Sequence, residues 1–379
     1  MSPEIFNDYR PYVDSEINPA MKRIAANEIF PKVAAFVFPE KSIEEVRNLL
    51  HSFNSIYDFQ VGVMKAFNEQ IIKKTISNFS YSGLDKLDTD QRFLFISNHR
   101  DIVLDSSLLQ YALHLSNHQT SEISFGSNLM INELVVDFGK SNKMFKLIRG
   151  GNIKDFYINS LNLSKYIRHT ITEKKESVWI AQRNGRTKDG KDLTDQGIIK
   201  IFYMCSQENS ATAVARLNIV PVSVSYEWEP CDFLKALELY HSLTKKYVKK
   251  PDEDLNSIIT GINQPKGKMH IAVGSPITEK ELEPFRDMPN NKFNRSVADL
   301  IDEQIIANYK LSCNNYIAHD IRSDSDKYVS HYTEEEKKLF LQHFSKLENY
   351  DVDDKPALSD IFLGIYANPI DAKNKGFHV

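Results

Sequence analysis

His99 and Asp105 stand six residues apart, where one apolar run, Phe93–Ile96, has ended and another, Ile102–Leu104, has begun. A histidine titrates near neutral pH, ordinarily at ~6.5, and can take a proton from an attacking hydroxyl. A carboxylate on its far ring nitrogen fixes the tautomer and stabilises the imidazolium that forms. An aspartate in the first helical turn after a strand-end histidine can supply that carboxylate. The same residues also read as a helix start, with His99 as a cap and Asp105 as an early-turn acid favoured by the dipole. Asp101 is a second candidate for the carboxylate.

A second group is cationic. The stretch Arg183-Asn184-Gly185-Arg186-Thr187-Lys188-Asp189-Gly190-Lys191 follows the apolar run Val178–Ala181 directly. Arginine forks bind phosphate through paired bonds, and glycine lets a backbone come close to a ligand. Arg149, beside Gly150-Gly151, adds a further cation. The competing reading is a solvated charged turn. Other chemistries lack their residues, since neither G-x-x-x-x-G-K-[ST] nor G-x-S-x-G occurs. Cys205, Cys231 and Cys313 are far apart with no C-x-x-C, which excludes a cysteine-based zinc site and fits reduced thiols in a cytoplasm. His114, His118 and His169 have helix-like surroundings and no ligand spacing. The stripe Met130, Ile131, Leu134, Val135, Phe138 reads as core, with an acyl-chain groove as its rival.

Sites in open α/β sheets gather at the carboxyl ends of strands, so the strands decide whether these groups can meet. Short apolar strands are expected at Phe93–Ile96, Ile123–Phe125, Phe145–Ile148, Val178–Ala181, Ile219–Tyr226 and Met269–Val273. Helical segments alternate with them near 103–116, 130–141, 152–173, 194–207, 231–248 and 291–310. That alternation predicts an α/β fold: a mixed, mostly parallel sheet flanked by helices. Residues 1–83 read as a helical N-terminal domain, with helices over Ser15–Phe36, from Ser42, and over Ile56–Ile76. Residues 84–312 form the α/β unit. Residues 313–379 are a helical C-terminal extension, with a helix at Thr333–Leu347 and an irregular tail.

The 379 residues carry 47 basic and 51 acidic side chains, net −4, which argues against a nucleic-acid partner. The opening MSPEIFNDYRPYVDSEINPAM has no basic stretch leading into an apolar one, so no secretory signal is expected. Runs such as Val33–Phe38 fall far short of the ~20 apolar residues of a membrane span.

Taken together, four blocks resemble the glycerol-3-phosphate and 1-acylglycerol-3-phosphate acyltransferase family over roughly residues 85–275. That family carries N-H-x4-D, a strand ending in arginine, E-G-[GT]-R-S, and an apolar strand with an early proline. The matching residues are Asn98-His99…Asp105, Phe145–Arg149, Arg183–Thr187 and Ile219-Val220-Pro221-Val222-Ser223-Val224. The helical N-terminal region is similar to the small domain of soluble plastid-type members. Two departures stand out. Five residues rather than four separate His99 from Asp105, so either Asp105 reaches through a different turn or Asp101 takes its place. Asp105, which follows apolar Ile102-Val103-Leu104, is the expected partner. Arg183 also stands where the family has glutamate.

The resemblance implies an O-acyltransferase of phospholipid synthesis. His99 would act as general base and Asp105 would orient it, with direct transfer, no metal and no cofactor. The acyl donor would be acyl-CoA or acyl-carrier protein. The acceptor would be glycerol-3-phosphate or 1-acylglycerol-3-phosphate, its phosphate held by Arg149, Arg183, Arg186 and Lys188. Backbone N–H groups near the strand end or helix start would bind the oxyanion. Such an enzyme would be cytoplasmic and would meet its lipid peripherally, at the membrane surface. Two other readings stand beside it: the same chemistry on another lipid acceptor, such as an acylated amino acid, and an inactive lipid- or phosphate-binding protein.

Overall fold

The structure, a computed structural model, describes residues 3–130, 132–148 and 150–375. Ile131 and Arg149 lie outside the described residues. The N-terminal region contains α1 (Asp14–Ala26), α2 (Phe30–Val37), α3 (Ile43–His51), α4 (Ile56–Phe59) and α5 (Lys65–Thr75), the last two joined by a π-helical turn at Gln60–Met64. The stripe expected over Ser15–Phe36 is thus two helices, broken at residues 27–29. Helices α1 to α4 share one core, which Leu134 and Phe138 join from α7 (Glu133–Ser141), whereas α5 packs through Ile71 against the sheet. The core reading of that stripe therefore holds for its Leu134 and Phe138.

Seven strands form one sheet: β1 (Ile76–Ser82), β2 (Leu94–Ser97), β3 (Glu122–Gly126), β4 (Met144–Leu147), β5 (Val178–Ala181), β6 (Ile219–Tyr226) and β7 (Gly267–Val273). Their order is β1-β7-β6-β2-β5-β3-β4. Every pairing is parallel except β6 with β7, so β2 to β6 all end at one edge of the sheet. This is the mixed, mostly parallel sheet expected. Residues 76–82, read as the end of the helical region, form the edge strand β1 instead.

The remaining helices are α6 (Leu104–Leu115), α8 (Ile153–Thr172), α9 (Gln196–Tyr203), α10 (Ser210–Ala215), α11 (Asp232–Ser242), α12 (Glu253–Asn263), α13 (Glu279–Leu282), α14 (Asn290–Asn308), α15 (Cys313–Ser323), α16 (Glu334–Phe344) and α17 (Lys355–Lys375). The central strands are mostly apolar because both faces are covered. On one face Leu94, Ile96, Val178 and Ile180 pack with α8, α9 and α14; on the other Phe93, Phe95 and Trp179 pack with α6.

The tail expected to be irregular is the helix α17, buried against α11 and α15. It also sits on the cationic loop. Gly190 has φ +76°, and a Cβ there would lie 2.3 Å from the Ile365 carbonyl oxygen of α17. Gly190→Ala should therefore destabilise the chain by more than the about 1–3 kcal/mol of a left-handed non-glycine residue alone. Urea unfolding measures this, and an unchanged midpoint would mean that α17 does not seat on the loop.

Candidate active site

β2 delivers Asn98 and His99 to the sheet edge. Asn98 mimics a strand residue with its side chain: its Oδ1 accepts from the Val224 N–H at 2.7 Å, and its Nδ2 donates to the Val224 carbonyl at 2.9 Å. His99 follows, and the chain turns through residues 100–103 before α6 begins. That turn is closed by Asp101, whose Oδ1 accepts from the N–H groups of Val103 (2.9 Å) and Leu104 (2.8 Å). Asp101 thus closes the turn and accepts from the first N–H of α6.

Asp105 is fully buried at the start of α6, and its Oδ2 lies 3.0 Å from His99 Nδ1. The same carboxylate accepts from the backbone N–H groups of Arg100 (2.6 Å) and Asp101 (2.8 Å), and from the Tyr226 hydroxyl at 2.7 Å. Burial first, and Asp105 next, hold the Tyr226 phenol well above its ordinary pKa, so it stays a donor. Toward a carboxylate that already accepts from Arg100, Asp101 and Tyr226, His99 fits as the tautomer with its proton on Nδ1. Nε2 is then left with its lone pair. The His99 side chain is 12% exposed and meets Trp179 edge-on at 5.8 Å. Of the two carboxylates considered, the structure brings Asp105 to the ring. The extra residue in the spacing is taken up by the capped turn.

The cationic loop is drawn to the same place, because the Thr187 N–H donates to the His99 carbonyl oxygen at 2.7 Å. Its members differ. Arg186 is half-buried, and its Nη1 is buried with no hydrogen-bond partner among the described residues. Lys188 is paired with Glu238 of α11, so it would have to leave that partner to hold a phosphate. Arg183 borders an apolar cavity of about 410 Å³ at the ends of β4 and β5, walled by Leu147, Ile148, Leu163, Ile180 and Ile201. Its floor lies on the α8 and α9 face, whereas the His99 ring lies toward α6. A larger cavity of about 530 Å³ is lined by Tyr57, Gln60, His114 and His118. It lies at the far end of α6 from Asp105 and has no part in this arrangement.

Behind His99 is a set of buried charges that the sequence reading missed. Arg100, 1% exposed, reaches Asp192 at 2.5 Å and Glu229 at 3.1 Å, and its guanidinium lies 5.2 Å from the Tyr309 ring. Lys235 joins Glu229 and donates to the Arg100 carbonyl at 2.7 Å. The one local signal was Arg100's place directly after His99. Its partners lie 92 and 129 residues away.

The cationic loop returns to the sheet at Thr194, whose N–H and hydroxyl both donate to the buried Asp302 of α14. Burial pushes the Asp302 carboxyl from 3.8 up to about 7, against the Thr194 bonds that lower it. Between about pH 4 and 7 the folded chain then keeps a proton that the unfolded chain has released, so this group's contribution to stability falls as pH rises through that window. Asp302→Asn retains an acceptor for Thr194 and removes the titration. Urea unfolding should show the variant gaining on the parent progressively from about pH 4 to 7. A difference independent of pH would place the proton elsewhere.

No family model matches the chain, and no curated protein is similar to it in sequence. Among solved structures it is similar to the 1-acyl-sn-glycerophosphate (LPA) acyltransferase PlsC from Thermotoga maritima, over 76% of this chain and 94% of that one. The identity is 13% and the TM-score 0.36. At those values the likeness bears on neither substrate nor mechanism.

Proposed function

We propose that the protein is an acyltransferase that moves a fatty acyl group from an acyl thioester to a hydroxyl of glycerol-3-phosphate or 1-acylglycerol-3-phosphate. The observation that carries this reading is the contact of His99 Nδ1 with Asp105 at the strand end, beside the arginine loop. Nε2 takes the acceptor's hydroxyl proton as that oxygen attacks the thioester carbonyl carbon. The tetrahedral intermediate collapses with cleavage of the C–S bond, and the imidazolium returns the proton to the leaving thiolate. Asp105 holds the Nδ1 proton throughout. The N–H groups of Arg100 and Asp101 already serve Asp105, so the oxyanion must find its donors elsewhere. The apolar cavity beside Arg183 suits a fatty acyl chain in size and lining.

His99→Ala should lower turnover at least ~100-fold with the fold intact, by circular dichroism, given the usual contribution of a general base. Near-normal turnover would sink this mechanism.

Arg186 supports the phosphorylated acceptor, because its buried, unpartnered nitrogen suits a charge-assisted bond to phosphate. Arg186→Ala should raise the KM for glycerol-3-phosphate roughly 10- to 150-fold, as loss of ~1.5–3 kcal/mol requires. An equal loss with a neutral acceptor would mean that the arginine serves the acyl donor or the fold.

A further inference from the structure

Two features at the His99 end of the sheet are largely exposed. One is the start of α8. Its first side chains stand clear of the body, with Ile153 90%, Phe156 66% and Tyr157 55% exposed. The three recur at helical spacing along one stripe, which continues inward through Ser160 and Leu163 as the wall of the apolar cavity. Soluble chains rarely leave so many large apolar groups on a projecting end unless something covers them.

The other is the segment between α11 and α12, Leu243-Thr244-Lys245-Lys246-Tyr247-Val248-Lys249-Lys250. Every residue but Tyr247 is exposed, Val248 to 79%. Lys249 pairs with Asp254, and Asp254 accepts from Asn128, just beyond the end of β3. That bond places the lysine segment over the end of β3, the strand beside the one that launches α8. Near α8 itself, Lys154 is exposed, and Lys146 and Lys200 border the cavity. The acids nearby, Asp155 and Asp195, are occupied as helix caps.

We propose that this edge of the molecule docks on an anionic lipid surface. Ile153, Phe156 and Tyr157 enter the boundary between headgroups and acyl chains, and Val248 touches it. Lys154, Lys245, Lys246 and Lys250 lie against lipid phosphates. The mouth of the cavity then opens into the bilayer rather than into water, and His99 is held at the level of the headgroups. This deepens the acyltransferase reading by naming the surface from which that enzyme would draw its lipid, and it is tested without turnover.

The full chain should co-sediment with vesicles of equal parts phosphatidylglycerol and phosphatidylcholine, and bind phosphatidylcholine alone far more weakly. About 0.5 M sodium chloride should release it, because surface charges are then screened within a few ångströms. Lys245→Glu with Lys246→Glu should lower the partition coefficient roughly tenfold or more, since each surface lysine contributes a factor of about five. Ile153→Ser with Phe156→Ser should lower it as much with little change in the melting temperature, as those side chains are 90% and 66% exposed. Tyr157→Trp should show blue-shifted emission on the vesicles. Failure of the parent to bind, or undiminished binding by either double variant, would overturn the proposal. So would a concentration-dependent dimer in sedimentation that the serine variant abolishes, because the apolar stripe would then face a second copy. His99→Ala should bind as the parent does, so failure of docking and failure of the chemistry are read separately.

Discussion

The buried Arg100 guanidinium is the interaction on which the site depends. A charge taken fully out of water carries a penalty of several kcal/mol unless partners replace the lost hydration. Here two cations, Arg100 and Lys235, face two anions, Asp192 and Glu229, and the set is neutral overall. The members come from three strand ends and a helix: Arg100 after β2, Asp192 after β5, Glu229 after β6, and Lys235 from α11, which follows β6. None can move without leaving a buried charge unpaired. The residue that carries the guanidinium is also held through its backbone, by Asp105 at its N–H and Lys235 at its carbonyl. His99 is its neighbour, so the ring is positioned by a network it does not belong to. Lysine could not substitute for Arg100, since a point charge cannot serve two carboxylates and an aromatic face in fixed directions.

The C-terminal helices complete this arrangement. Tyr366 of α17 donates to Asp232 at 2.7 Å, and Asn368 donates to the Asp189 carbonyl at 2.6 Å. His343 of α16 approaches the same Asp232 oxygen at 2.6 Å. The loops after β5 and β6 are therefore backed by α16 and α17, and a segment far from His99 in sequence limits how far those loops can open. A site built on loops gains its precision from such support.

How much of this was legible depended on how local the cause was. Strands β2, β5 and β6 could be placed because each is a mostly apolar run, buried along nearly all its length. β1 escaped because Ile76-Ser77-Asn78-Phe79-Ser80-Tyr81-Ser82 is half polar and lies at the sheet edge, directly after a helix. α17 escaped because it is enclosed on several sides, so its apolar residues show no single stripe, and Pro369 lies inside it. The pairing of Asp105 with His99 was accessible as a spacing. That Asp101 would cap the turn instead, and that Tyr226 would donate from 121 residues away, were not. Lys188 illustrates the limit. Its residue type and place in the loop suit a phosphate, but its charge is answered by Glu238, fifty residues on, where nothing in the local sequence points to it.

The charge pairing decides what is left to meet a substrate. Arg100 and Lys188 are neutralised by protein carboxylates, and Asp105 is spent on four donors. Among the described residues Arg183 and Arg186 are the loop arginines without an ion pair. Arg186 lies beside the buried Cys231 thiol, which burial raises and the guanidinium lowers. A guanidinium held partly out of water, with one nitrogen unpartnered among the described residues, carries a desolvation cost that an anion on the proposed acceptor would offset. The rigid neutral network around Arg100 and the unsatisfied cation at Arg186 are thus complementary. The first fixes the backbone beside His99, and the second is the cation that the phosphate of the proposed acceptor would meet.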